Sequence, residues 1–161
     1  MTTLTDAATP LKLLALDAGD LDVLSALVQD AITRPAEMTY MEDERAFVVV
    51  LDRLAREQRP ERTGPLGLRK RWQRRRSALD LRRVMRVERR GFAQKAQGGG
   101  GDEPMVLLAV THEAGEDGVG GTITLAFAGG ATLRLTVEVV EARLTDLGPA
   151  WESGATPRHA A

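Results

Sequence analysis

The chain has no cysteine and no asparagine, and it has only two histidines, His112 and His159. Without cysteine there is no disulfide framework, no thiolate metal site and no cysteine nucleophile. The usual zinc patterns need paired nitrogen or sulfur ligands at short spacing, and two isolated histidines do not supply them. Long apolar runs are missing too: none approaches the roughly 18 residues that cross a bilayer. The first residues, MTTLTDAATPLKLLALD, lack a basic start followed by a long apolar stretch, so no secretory leader is expected. These absences lead to the expectation of a cytoplasmic chain with no membrane contact, no metal and no cofactor.

What is present is an uneven charge. The 22 basic and 23 acidic side chains nearly cancel. The cancellation is regional, however. Residues 53–95 hold 16 Lys/Arg against 4 Asp/Glu, and the remainder holds 6 against 19. At 161 residues the chain is long enough for one domain with a core and short for two.

Hydrophobic spacing gives the course of the chain. Leu11-Lys12-Leu13-Leu14-Ala15-Leu16 reads as a short buried strand. Leu21, Leu24, Leu27, Val28, Ala31 and Ile32 recur at intervals of three and four, which predicts a helix capped by Asp17 or Asp20 and stopped by Pro35. The period then changes to two. Residues 37–41 and 46–51 predict a hairpin around Glu42-Asp43-Glu44, and strands follow at 78–81 and 84–88, joined through a tight turn or bulge at Arg82-Arg83. Residues 105–111 read as a strand covered on both faces. Residues 122–127 and 132–139 alternate around Gly129-Gly130, whose glycines suit a tight hairpin turn. One or two helical turns are expected at 141–147, with Trp151 as a final plug.

These elements make an α+β, mainly β domain: an antiparallel meander curled into a partly closed barrel, with one N-terminal amphipathic helix. A pleckstrin-homology-like barrel is the specific shape expected. The expected boundaries are an arm at 1–10, a domain at 11–152 with mobile loops at 55–76 and 94–104, and a disordered tail at 153–161.

Three segments carry a resemblance. Residues 11–32 (LKLLALDAGDLDVLSALVQDAI), 75–91 (RRSALDLRRVMRVERRG) and 121–151 (GTITLAFAGGATLRLTVEVVEARLTDLGPAW) resemble a family of small alphaproteobacterial proteins classed as a domain of unknown function. The resemblance implies a bacterial cytosolic protein and brings no catalytic residues with it.

The sharpest chemical feature is the run Arg69-Lys70-Arg71-Trp72-Gln73-Arg74-Arg75-Arg76. Guanidinium groups bind phosphates bidentately and an indole stacks on bases or on an Arg plane, so Arg69, Lys70, Arg71, Trp72, Arg74, Arg75 and Arg76 form a candidate site for nucleic acid or another polyanion. A bland reading stands beside it. Arginine outnumbers lysine 19 to 3, as GC-rich coding favours, and the run can equally be solvated or paired with the protein's own acidic residues.

Catalytic patterns are missing. Ser25, Ser77 and Ser153 are the only serines, and none sits in a Gly-x-Ser-x-Gly elbow. Glu42-Asp43-Glu44 reads as a turn, and Asp17, Asp20 and Asp22 as helix-start residues without the ligand spacing of a calcium loop. Gly98–Gly101 precedes a strand and lacks a Gly-Lys-Ser/Thr ending, so it reads as a linker rather than a phosphate loop. The leading expectation is a non-enzymatic binding or adaptor domain with a protein partner. The alternatives are a nucleic-acid or polyanion binder through 69–76, and an enzyme using dispersed residues such as Asp80, Glu88 or His112. The helix stripe is expected to cover the sheet or to form a homodimer contact, and Met38, Tyr40 and Met41 to pack in the core or line a peptide groove, leaving monomer and homodimer both open.

Overall fold

Alternation of apolar and polar residues governs most of the chain, and the computed structural model turns it into strands. It describes residues 10–55, 57, 61–92, 102–148 and 151–152. The order is β1 (Lys12–Ala15), α1 (Ala18–Val28), β2 (Ile32–Thr33), β3 (Met38–Met41), β4 (Ala46–Leu54), β5 (Glu61–Thr63), β6 (Arg69–Arg71), β7 (Gln73–Leu81), β8 (Val84–Arg90), β9 (Met105–Ala114), β10 (Gly121–Phe127), β11 (Thr132–Val137), β12 (Ala142–Asp146) and β13 (Trp151–Glu152). Every strand pairing is antiparallel.

The main sheet runs β1-β12-β7-β4-β2-β9-β10-β11-β8, with β3 added on β4 and β13 on β7. Strand β2 is the joint between its halves: Ile32 stands opposite Asp52 of β4 and opposite Val106 of β9. The two ends, β1 and β8, do not meet, so the sheet is not closed into a barrel. Val49, Leu51, Leu79, Leu81, Ile123, Leu125, Leu133, Leu135 and Leu144 fill one core between the halves, each with no exposed surface. Burying one such leucine contributes roughly 1.5–3 kcal/mol.

Helix α1 lies against β9, β1 and β4, with Leu21, Leu24 and Val28 in the core. Its start follows the expectation. Asp17 is the N-cap and accepts from the Asp20 N–H at 2.8 Å, while Asp20 accepts from the Leu16 N–H at 3.1 Å. The two carboxylates thus satisfy amide protons on either side of the helix start. Ser25 Oγ accepts from the Val110 N–H at 2.9 Å and ties the helix to β9.

The antiparallel, mainly β architecture with one N-terminal helix is as the sequence predicts, but several details differ. The helix ends at Val28, not at Pro35, because Asp30 takes a left-handed backbone (φ 67°) and hands the chain to β2. Ala31 and Ile32 continue the apolar stripe beyond the helix, Ile32 as a strand residue. Residues 141–147 form strand β12, not helical turns: Ala142, Leu144 and Asp146 point inward at period two. The 55–76 segment is not one irregular loop, since β5 pairs with β6 and β7 begins at Gln73. Nor is the whole sheet a meander. Strands β7 and β8 are consecutive, yet β7 lies between β12 and β4 while β8 pairs only with β11 along the sheet. Strand β9 is buried on one face, with Leu108 44% exposed on the other. Nothing in this strand order singles out a pleckstrin-homology-like shape. The expectations for the arm at 1–9, the glycine run at 98–101 and the tail at 153–161 lie outside the described residues.

Candidate functional site

The arginine-rich segment is the part of the sequence with a chemical signature, and the fold divides it. Strands β4 and β7 pair from Phe47 opposite Leu81 to Leu54 opposite Arg74. The Ala55 N–H then donates to the Gln73 carbonyl at 2.7 Å, and the same two chains pair again, Glu61 with Arg71, Arg62 with Lys70 and Thr63 with Arg69. β5 and β6 thus prolong the β4–β7 hairpin into a two-stranded ribbon of their own, outside the main sheet. Its tip is Gly64-Pro65-Leu66-Gly67-Leu68, with Gly67 at φ 63° and Leu66 and Leu68 78% and 77% exposed.

Arg69, Lys70 and Arg71 therefore sit in β6, on the ribbon. Trp72 lies at its base, half-buried. The remaining cations belong to β7 and turn toward the protein. Arg74 Nη1 donates to the Asp52 carbonyl at 3.2 Å. Arg76 forms ion pairs with Glu37 at 2.5 Å and Asp52 at 3.3 Å. The Glu37 hydrogen bond holds the Arg76 pKa above its ordinary value against partial burial. Arg75 is 1% exposed and places Nη1 3.7 Å from Asp146 Oδ2.

Arg75 belongs to a buried polar cluster that spacing alone did not reveal. Among the described residues Arg53 and Arg75 are the two largest fully buried side chains. Arg53 donates from Nε to Asp146 Oδ1 at 3.0 Å and to Ser77 Oγ at 3.2 Å, and from Nη2 to Asp146 Oδ2 at 2.9 Å. Its Nη1 and Nη2 also grip Glu57 at 2.8 and 2.7 Å, a bidentate pair. Ser77 Oγ donates to Asp146 Oδ1 at 2.6 Å, and the Leu11 N–H donates to Asp146 Oδ2 at 2.7 Å. Asp146 thereby accepts bonds from β4, β7 and the residue leading into β1. Burial works against the charges of Arg53, Glu57 and Asp146, but the bonds outweigh it. Those to Arg53, Ser77 and Leu11 hold Asp146 below the usual carboxylate range, and Arg53 does the same for Glu57. The two carboxylates in turn hold the Arg53 guanidinium above its ordinary pKa.

Other candidates resolve into structural roles. His112 Nε2 donates to the Gly120 carbonyl at 3.2 Å across the β9–β10 turn. Asp80 takes an ion pair from Arg82 at 3.0 Å, and Glu88 lies 3.7 Å from Arg86. A cleft of about 320 Å³ is lined by Asp43, Glu44, Arg45, Arg82, Arg83 and Glu141, and its charges balance. Arg83 pairs there with Glu141 at 3.7 Å, and Arg45 with Glu138 just outside at 3.0 Å. Among the described residues no group of His, Cys, Asp or Glu side chains is arranged to hold a metal ion, and no helix is long and apolar enough to cross a membrane.

Neither the curated proteins nor the solved structures contain a match to this chain. A family model does match, over residues 11–159, from the lead-in to β1 to beyond β13. That span takes in the core, the buried ion cluster and the ribbon together, and the chain belongs to the family described as protein of unknown function (DUF2948).

Proposed function

We propose that this domain is a non-enzymatic binding module that holds nucleic acid through the ribbon Glu61–Arg71. The observation that carries the reading is the ribbon itself. It bears Arg62, Arg69, Lys70 and Arg71 against the single acid Glu61, outside the main sheet, while Arg75 and Arg76 of β7 are engaged by the protein's own carboxylates. A two-stranded ribbon fits the major groove of duplex DNA, and a basic one gains affinity from phosphate contacts. The exposed Leu66 and Leu68 at the tip, beside Pro65, offer apolar surface of the kind that contacts thymine methyl groups in that groove. Trp72 at the base adds a stacking surface.

The test is anisotropy of a fluorescent DNA duplex and of a fluorescent single-stranded RNA, titrated with the full chain at low salt. Binding to at least one of them is expected, with loss in the Arg69→Glu/Lys70→Glu/Arg71→Glu variant. Two outcomes would overturn the proposal: no binding to either probe, whether or not anionic lipid vesicles capture the chain, and binding that the triple variant retains.

A further inference from the structure

The ladder bonds around β11 determine which side of β8 is open. The Phe127 N–H donates to the Ala131 carbonyl at 2.9 Å, so the bonded pairs between β10 and β11 fall at Leu125–Leu133 and Ile123–Leu135. Thr132, Arg134 and Thr136 then face β8, where they stand opposite Arg90, Glu88 and Arg86. The Glu138 N–H to Arg83 carbonyl bond at 3.0 Å continues this pattern past the irregularity at Val84. The backbone groups of Met85, Val87 and Arg89 consequently point away from β11. Among the described residues no strand pairs with that side; of the backbone groups there Val84 alone is held, its N–H donating to the Arg45 carbonyl at 2.9 Å and its carbonyl accepting from Tyr40 at 2.7 Å, while the Met85 side chain accepts from Arg45 Nη1 through Sδ at 3.4 Å.

An open edge is a template for another strand, and charge usually guards it. In β8 the charges are placed so that they do not guard against this same sequence. We infer that β8 is a homodimer interface, in which the edge of one copy pairs antiparallel with the edge of a second around a two-fold axis at Val87. That register puts Val87 opposite the partner's Val87 and Met85 opposite the partner's Arg89, so that every outward backbone group meets its complement in roughly six hydrogen bonds. The same register puts Arg86 opposite the partner's Glu88, and Glu88 opposite the partner's Arg86. Within one chain Arg86 Nε already lies 3.7 Å from Glu88 Oε1, so the two copies form a block of four alternating charges. Half-buried Val87 and Met85, which is 47% exposed, become covered. The Arg89 and Arg90 charges of the two copies lie on opposite sides of the axis, separated by more than a Debye length of about 10 Å.

Sedimentation of the full chain over a wide concentration range tests this, with unfolding midpoints recorded for each variant. The wild-type chain is expected to associate reversibly into a dimer. Glu88→Arg places arginine opposite arginine on both sides of the axis and should weaken the dimer by roughly tenfold or more. Arg86→Glu combined with Glu88→Arg restores alternating charges and should restore association. Both variants set the introduced guanidinium opposite Arg134 of the same chain, so any common cost to folding cancels between them. Val87→Pro removes an outward N–H without touching the β11 ladder and should yield a folded monomer. A wild-type chain that remains monomeric throughout overturns the inference. So does a dimer indifferent to Glu88→Arg and to Val87→Pro, or one that the double exchange fails to rescue.

Discussion

Arg53 Nη2 lies 2.9 Å from Asp146 Oδ2, both side chains are fully withdrawn from water, and 93 positions of sequence separate them. This bond joins β4, at the root of the basic ribbon, across β7 to β12, next to the β1 edge of the sheet. It holds the ribbon's two chains and the β1–β12 edge in one frame. Removing one partner of a buried ion pair strands the other charge, at a cost of about 3–5 kcal/mol. Asp146→Ala strands Arg53 and also takes the carboxylate from Arg75, so its unfolding free energy should fall by that amount. Ser77→Ala removes one neutral hydroxyl and should cost about 1–2 kcal/mol. Urea unfolding of the two variants checks the order, and an Asp146→Ala cost no larger than that of Ser77→Ala would contradict it.

The same cluster sets an acid limit. Asp146 and Glu57 both titrate lower in the folded chain than in the unfolded one. The stability they supply is therefore complete at neutral pH and is lost as the pH falls below the ordinary carboxylate range of the unfolded chain and through their lower folded values. Urea midpoints measured from neutral pH downward should hold steady and then drop. In Asp146→Asn the whole curve should lie lower and the acid drop should be shallower; an acid limb of unchanged steepness would exclude Asp146 as its source.

The core and the strand periods were legible in the sequence wherever inward positions were apolar, as in Leu79 and Leu81 of β7 or the β10–β11 hairpin. They were hidden where inward positions are polar. In QRRRSALDL the inward residues include Arg75 and Ser77, so the alternation looked like a charged loop until Ala78. In ARLTD the inward Asp146 concealed a strand in the same way. Both belong to one cluster, whose partners are distant in sequence. Local pattern also marked a break at Arg82-Arg83, where Arg83 takes φ 59°, but carries no information on which strand β8 joins. The near-zero net charge has a structural counterpart: acidic residues from the rest of the chain engage Arg75 and Arg76, through Asp146, Glu37 and Asp52.

The β9–β10 turn depends on a close approach. Gly121 has φ 138°, where side chains are strained, and a Cβ on neighbouring Gly120 would stand 2.6 Å from the Val137 carbonyl oxygen. Gly120→Ala must push β10 away from the chain after β11. We expect a loss of roughly 1–3 kcal/mol in unfolding free energy. An unchanged thermal midpoint would show that the backbone yields there at no cost.

At the helix start, Asp17→Ala removes the acceptor for the Asp20 N–H and should cost about 1 kcal/mol. Asp22→Ala, on an exposed residue outside the cap, is the control and should change stability little. Equal effects in the two variants would mean that bulk charge, not the cap bond, is responsible.

The central claim is that the cations of the ribbon hold the phosphates of a nucleic acid. Its most direct test is the salt dependence of nucleic-acid affinity for the wild-type chain and for Arg69→Ala/Lys70→Ala/Arg71→Ala. Four contacts, from Arg62, Arg69, Lys70 and Arg71, predict a slope of log K against log salt of about −3.6 on duplex DNA, becoming shallower by about 2.7 in the variant. A slope that the three substitutions leave unchanged, or an affinity indifferent to salt, would contradict it.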